Sequence, residues 1–261
     1  MMMEPNGLSQ GSRDMNAFPP LPLLPALSLP DPSQTALLLD LDGTLLDIAP
    51  APDQVVVPPR LCTDLRNARR QVGEALAVVT GRPIEQVDAL LQNVPYAVAG
   101  EHGGAIRHSP EGDISRLPLP TTPTSWLNEA QRLEQTMAGV LLERKHRGFV
   151  LHYRATPDAR EPLQQALQAM VAESEGAFML LPALMAWELR PVGADKGTAV
   201  TALLRQPPFL GRVPIFIGDD ITDEDGMRAS RDHGGLGLRV QEAFGTAEAV
   251  RVWLADMNDA Q

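Results

Sequence analysis

Three apolar runs in this chain close on oxygen-bearing side chains: 36–41 on Asp40 and Asp42, 75–79 on Thr80, and 213–217 on Gly218, Asp219 and Asp220. Each run is continuously apolar rather than alternating, the mark of a strand covered on both faces. Longer amphipathic stretches separate them, so the pattern predicts strands joined by crossover helices into a parallel sheet. In such sheets the binding crevice lies beyond the carboxyl ends of the strands. The polar residues that end these runs are therefore the candidate site.

The intervening text supplies the helices. One is expected from Pro59 to about 72, and another over 84–91 with Pro83 in its first turn. Around Gly100, Gly103 and Gly104 the chain becomes glycine-rich, then polar and proline-rich. A helix over about 125–143, a strand over 148–154, a helix over 158–173 and an apolar stretch over 177–189 follow. The first pattern then returns: a helix from Lys196, a strand over 213–217, a helix after Thr222, a strand near 236–240 and a terminal helix. The reading is an α/β fold with a Pro-rich, flexible tail over 1–33, a core built from 34–107 and 191–261, and an inserted α/β domain over 108–190.

Charge narrows the ligands. With a net charge of -11 over 261 residues, the protein lacks the positive footprint that nucleic-acid binding requires. A small anionic substrate stays open if a metal ion or lysine supplies a local positive centre. The lone cysteine, Cys62, cannot form an intrachain disulfide, which fits a reducing compartment. The early apolar run is broken by Pro22 and Pro25 and fits a secretion signal poorly. No membrane span is expected, and a cytoplasmic monomer is the reading adopted.

Asp40 and Asp42 stand two apart at a strand end and can bracket one reacting group. One carboxylate can attack while the other handles protons. A carboxylate approaching a phosphate is repelled, and Asp219 adds further negative charge. A divalent cation resolves that conflict, and oxygen-only ligands beside a phosphate favour Mg2+. Lys196 adds a second positive group for the transferring phosphoryl oxygens.

The set DLDGT from Asp40, TGR from Thr80, DKG from Asp195 and GDDITDED from Gly218 resembles the phosphatase branch of the haloacid dehalogenase superfamily. Within it, AGEHGG from Ala99, ERK from Glu143, LHYR from Leu151 and WELRPVGADKGTAV from Trp187 are similar to trehalose-6-phosphate phosphatases. That resemblance implies a Rossmann-like core and a cap domain that closes over the substrate. It also implies Asp40 as nucleophile forming an aspartyl-phosphate, Asp42 as general acid and base, and Thr80 and Lys196 as holders of the phosphoryl group. Mg2+ would sit on Asp40, the Asp42 backbone, Asp219 and Asp220, with Asp223 in support. Thr80 stands where serine is common, which leaves the hydroxyl in place.

The implied substrate is trehalose 6-phosphate, and the sugar contacts are assigned to Glu143, Lys145, His152, Arg154, Glu188 and Arg190, with Glu101, His102 and Gly103 at the hinge. Gly81, Arg82 and Asp195 complete the set on the core. Glu188 is the best founded of these, because a carboxylate in an apolar run needs a partner. Other sugar phosphates such as sucrose phosphate, a phosphomutase reaction, and a receiver-like phosphoaccepting module remain alternatives at this stage.

Overall fold

The computed structural model describes residues 31–49 and 54–257. Of the expected tail over 1–33, all but its last residues lie outside them. In chain order the elements are β1 (Thr35–Leu39), α1 (Leu61–Gln71), β2 (Leu76–Val79), α2 (Ile84–Leu91), β3 (Ala97–Gly100), β4 (Ala105–Arg107), β5 (Ile114–Arg116) and α3 (Thr124–Thr136). Then come β6 (Leu141–Lys145), β7 (Gly148–His152), α4 (Arg160–Glu173), β8 (Phe178–Ala183) and β9 (Ala186–Pro191). The last are α5 (Lys196–Leu203), β10 (Val213–Gly218), α6 (Asp223–Asp232), β11 (Leu236–Arg239), α7 (Val240–Ala243) and α8 (Ala247–Asp256).

Seven strands form the larger sheet in the order β11-β10-β1-β2-β3-β4-β5. The five from β11 to β3 are parallel, and β4 and β5 add to the edge in antiparallel sense. Every residue of β1 and β2 is buried, as expected for strands covered on both faces. From β1 the chain moves outward through β2 and β3, then returns to the other side of β1 as β10. The strand order thus reverses between β1 and β10, with Leu39 opposite Ile217. A crevice opens at such a reversal, and Asp40 and Asp219 follow directly from these two strands.

The smaller sheet has the order β6-β7-β9-β8, entirely antiparallel. It carries its own apolar cluster, in which Trp126 of α3, Leu163 and Leu167 of α4, and Phe149, Phe178 and Leu189 of the strands pack together. The larger sheet has a separate cluster around Leu37, Val78, Val98 and Phe216. Two cores, each with its own helices, match the reading of an α/β insert in an α/β core.

Two boundaries differ from the sequence reading. The sequence pattern starts the insert at 108, yet Ile114–Arg116 pairs with β4 and closes the larger sheet. Arg116 anchors that edge through ion pairs to Glu85 and Glu101. The helix expected to run to 143 stops at Thr136, because Met137 is extended and Gly139 turns with φ 90. Glu143 and Lys145 therefore lie on a strand, two apart and on one face. Among the described residues no helix is long and apolar enough to cross a membrane.

Candidate active site

Beyond β1 the ladder continues one more step, with Asp40 N donating to Ile217 O at 2.9 Å. That bond fixes the Asp40 backbone between the two central loops. Asp40 is buried, and its Oδ1 accepts from Lys196 Nζ at 2.6 Å. The same ammonium donates to Asp223 Oδ1 at 2.5 Å. Asp223 Oδ2 accepts from the backbone N–H groups of Asp219 and Asp220, each at 3.0 Å. One carboxylate therefore ties the loop after β10 to the first residue of α5.

The placement of Lys196 has a local cause. Asp195 is the N-cap of α5: its Oδ1 accepts from Thr198 N at 2.7 Å, and the Thr198 hydroxyl answers the Asp195 backbone N–H. The resemblance put Asp195 among the substrate contacts; the structure uses its side chain to start the helix that carries Lys196.

Three carboxylates, Asp40, Asp219 and Asp223, bring one oxygen each within 4.8 Å of one another. Burial pushes Asp40 well above the usual carboxylate range, with Asp223 adding to the rise and Lys196 opposing it. Burial also raises Asp219, together with Asp223 and Asp220, to about 7. For Lys196, burial favours the neutral amine, but Asp40 and Asp223 outweigh it and keep the ammonium charged. One lysine does not neutralise three acids in so small a volume.

Asp219 Oδ1 is buried and has no hydrogen-bond partner. An orphaned anionic oxygen beside two further carboxylates, all hard donors, fits a small divalent cation. Gly43 makes the approach possible. It sits at φ 81, and a Cβ there would overlap the Asp219 carboxylate. Asp220, expected as a ligand, stands apart from the three: its Oδ1 accepts from Ile221 N at 2.6 Å and shapes the turn into α6. Asp223, expected in support, is the residue that joins them.

Asp42 points elsewhere. Both its oxygens pair with Arg82, Oδ2 to Nε at 2.6 Å and Oδ1 to Nη2 at 2.7 Å. This forked geometry is the strongest form of carboxylate recognition. Thr80 is buried at the end of β2, and its hydroxyl accepts from Arg82 N at 3.2 Å.

A cavity of about 240 Å3 opens over these strand ends. Its floor is Asp40, Asp42, Thr80, Gly81, Arg82, Lys196 and Asp220, and its roof is Glu143, Lys145, His152, Arg154 and Glu188 from the smaller sheet. His102 closes the hinge side. Glu143 accepts from Lys145 and lies 3.0 Å from His152 Nε2. Burial raises its pKa, but His152 and Lys145 outweigh that and keep it lowered. Arg154 donates to Ala49 O at 3.2 Å, which ties the roof to the loop after Asp42.

Besides Asp195, three expected contacts lie outside this cavity. Glu101 is held by Arg116, Arg190 faces a smaller neighbouring cavity, and Gly103 serves by its backbone. Gly103 has φ 98, and a Cβ there would stand 2.8 Å from Asp195 O, so the glycine lets the start of α5 approach β3. Sequence reasoning missed Ile48, Val55, Leu184 and Thr222, which also line the large cavity. Ile48 and Leu184 are large apolar side chains left more than half exposed at its mouth, a feature that only the fold reveals.

A parallel sheet with acidic loops at its reversal point and a second α/β layer over them is a fold shared with a haloacid dehalogenase-like hydrolase from Bacteroides thetaiotaomicron, with a TM-score of 0.57 at 17% identity over 83% of this chain and 98% of that one. The trehalose-phosphatase family model matches residues 38–251. A probable trehalose-phosphate phosphatase of Sinorhizobium fredii is 39% identical over 227 residues, covering 87% of this chain and 85% of that protein. The trehalose-6-phosphate phosphatase of Escherichia coli is 33% identical, covering 85% of this chain and 81% of its own length. The chain belongs to the trehalose-phosphatase family. The C-terminal domain of the C. albicans trehalose-6-phosphate phosphatase shares the fold, with a TM-score of 0.70 at 18% identity over 87% of this chain and 92% of that one.

Proposed function

We propose that this enzyme hydrolyses trehalose 6-phosphate to trehalose and phosphate, the last step of trehalose formation, through a phosphorylated Asp40. The observation that carries the chemistry is the buried Asp40 carboxylate, held by Lys196 at 2.6 Å on the floor of a cavity roofed in part by Glu143, Lys145, His152, Arg154 and Glu188. Family membership supplies the substrate class, a sugar phosphate, and the relatives' names supply the particular sugar.

Asp40 attacks phosphorus, and the bond from phosphorus to the sugar oxygen breaks in line with the attack. The Lys196 ammonium and the Thr80 hydroxyl hold the phosphoryl oxygens as charge shifts onto them. Asp42 gives its proton to the departing sugar oxygen, then takes one from the water that cleaves the acyl-phosphate. For this Asp42 must turn toward the cavity, and Arg82 governs its resting direction. Asp40, the Asp42 backbone carbonyl and Asp219 would hold Mg2+, with Asp223 supporting them. The ion would supply positive charge against the phosphate and the clustered carboxylates. The roof residues exclude bulk water and read the sugar. A reducing compartment such as the cytoplasm suits a chain whose single cysteine, Cys62, is buried.

Phosphate release measured across trehalose, sucrose, glucose and fructose phosphates tests the assignment. Trehalose 6-phosphate should lead in kcat/KM by at least about tenfold, each factor of ten being 1.36 kcal/mol of transition-state preference. A lead for another sugar phosphate would reject the substrate. Asp40→Asn should fold and lose turnover, by roughly a thousandfold or more; near wild-type activity would reject the nucleophile.

A further inference from the structure

The loop after β1 brings Asp42 to the cavity and then reaches the cavity wall again at Ile48 and Ala49. Its first half is closed by its own backbone. Leu45 N and Leu46 N each donate to Leu41 O at 2.9 Å, and Gly43 N donates to Leu46 O at 2.7 Å. Leu41, Leu45 and Leu46 are fully buried. Beyond Leu46 the chain leaves the core, and the side chains of Asp47 and Ile48 are more than half exposed. Exposed stretches with few buried apolar contacts open easily, so this one needs a hold from outside itself.

Arg251 of α8 supplies that hold. Its Nη1 donates to Leu45 O and to Asp47 Oδ1, both at 3.2 Å, and its Nη2 donates to Asp47 Oδ2 at 3.1 Å. One guanidinium thus grips the backbone where the buried turn ends and the side chain where the exposed stretch begins. An ion pair between two exposed groups is worth little. Here the Arg251 side chain is only 16% exposed, and the helix behind it is fixed. Val250, Trp253 and Leu254 of α8 belong to the apolar cluster of the larger sheet.

Two residues past Asp47, the same loop meets the smaller sheet. Ala49 O accepts from Arg154 Nη1 at 3.2 Å. Tyr153 N donates to Met185 O at 2.9 Å, so Arg154 and the turn between β8 and β9 form one edge of the roof. Ile48 from the loop and Leu184 from that turn both line the large cavity. The seam between floor and roof therefore follows the height of this loop. That height is set from α8, 206 positions beyond Leu45 in the chain.

We infer that Arg251 is a positioning residue for the reaction: through Leu45 and Asp47 it sets the loop on which Arg154 docks the roof. It acts from outside the cavity wall. Arg251 and Arg154 work in series, one holding the loop to the core and the other holding the roof to the loop. The inference rests on the reading of the cavity as a sugar-phosphate site that the roof completes.

The test is a double-mutant cycle on kcat/KM for trehalose 6-phosphate, with wild type, Arg251→Met, Arg154→Met and the double variant. A small displacement far from the chemistry can cost a large factor in rate, so Arg251→Met alone should lose about tenfold. In the Arg154→Met background the same substitution should cost less than about twofold, because the link it serves is already broken. A residue that merely supports the fold would cost the same factor in both backgrounds, and that result would overturn the proposal. So would an Arg251→Met enzyme as active as wild type. Asp47→Ala removes the same contact from an exposed position and should repeat both results, which keeps the test if Arg251→Met fails to fold. Should wild type hydrolyse another sugar phosphate better, the substrate assignment fails, and the same cycle on that ester still decides the role of Arg251.

Discussion

Asp219 joins a steric demand to an electrostatic one. Its carboxylate lies against Gly43, where the left-handed turn at φ 81 and the missing Cβ together allow the contact. Burial, with the neighbouring charges of Asp223 and Asp220, raises its pKa to about 7. A raised carboxylate pKa means that protons compete with a cation for the same oxygens near neutrality. Mg2+ binding should therefore weaken as the pH falls below about 7, by roughly tenfold per unit where one proton is displaced. Titration calorimetry at pH 6, 7 and 8 would read this directly. A dissociation constant that stays flat across that range would remove Asp219 from the ligand set. Gly43→Ala should show the steric half of the same contact, with both Mg2+ affinity and thermal stability reduced.

The helix that carries Lys196 shows how an element can act on chemistry from outside the cavity. The reciprocal capping by Asp195 and Thr198 fixes where α5 begins, and Lys196 is its first residue. Replacing an N-cap aspartate by alanine costs about 1 kcal/mol, which in a chain of this size lowers the melting temperature by roughly 2–4 °C. For Asp195→Ala, kcat should fall with it while KM for the sugar phosphate changes little, because the displaced ammonium serves the phosphoryl transfer rather than the sugar. A melting point and kcat both equal to wild type would show that the cap does not position Lys196. This role was not legible in the sequence, where Asp195 reads as one more acid beside a lysine. The strands β1, β2 and β10 were legible, since burial on both faces leaves an unbroken apolar run. β5 and β6 were not. Ile114, Ser115 and Arg116 form too short and polar an edge to stand out, and 141–145 continues the polar and apolar mixture of α3 until Gly139 is seen to break it. Likewise, Asp42 and Arg82 lie forty positions apart, and only the crossover through α1 brings the ends of β1 and β2 together.

At the scale of the whole molecule, polar links among the described residues join the smaller sheet to the larger one around the two adjoining cavities. Arg154 reaches Ala49, Arg147 reaches Leu119 at 2.6 Å, and His102 faces Glu188. The last pair makes the union sensitive to acid. Glu188 has a folded pKa of about 2 against an ordinary 4.5, so its ionised form stabilises the folded state fully above 4.5, and that contribution disappears as the pH falls through 2. His102, with a folded pKa lowered from 6.5, adds a loss in the same direction as the pH drops below 6.5, because the unfolded ring takes up a proton that the folded one resists. Glu188→Gln removes the first contribution. The stability difference between wild type and this variant should hold steady from pH 7 down to about 5, then shrink toward pH 3. Urea unfolding at each pH measures it. A difference that stayed constant to pH 3 would mean that the charge of Glu188 does not join the two layers, and that links such as those of Arg154 and Arg147 keep the roof over Asp40.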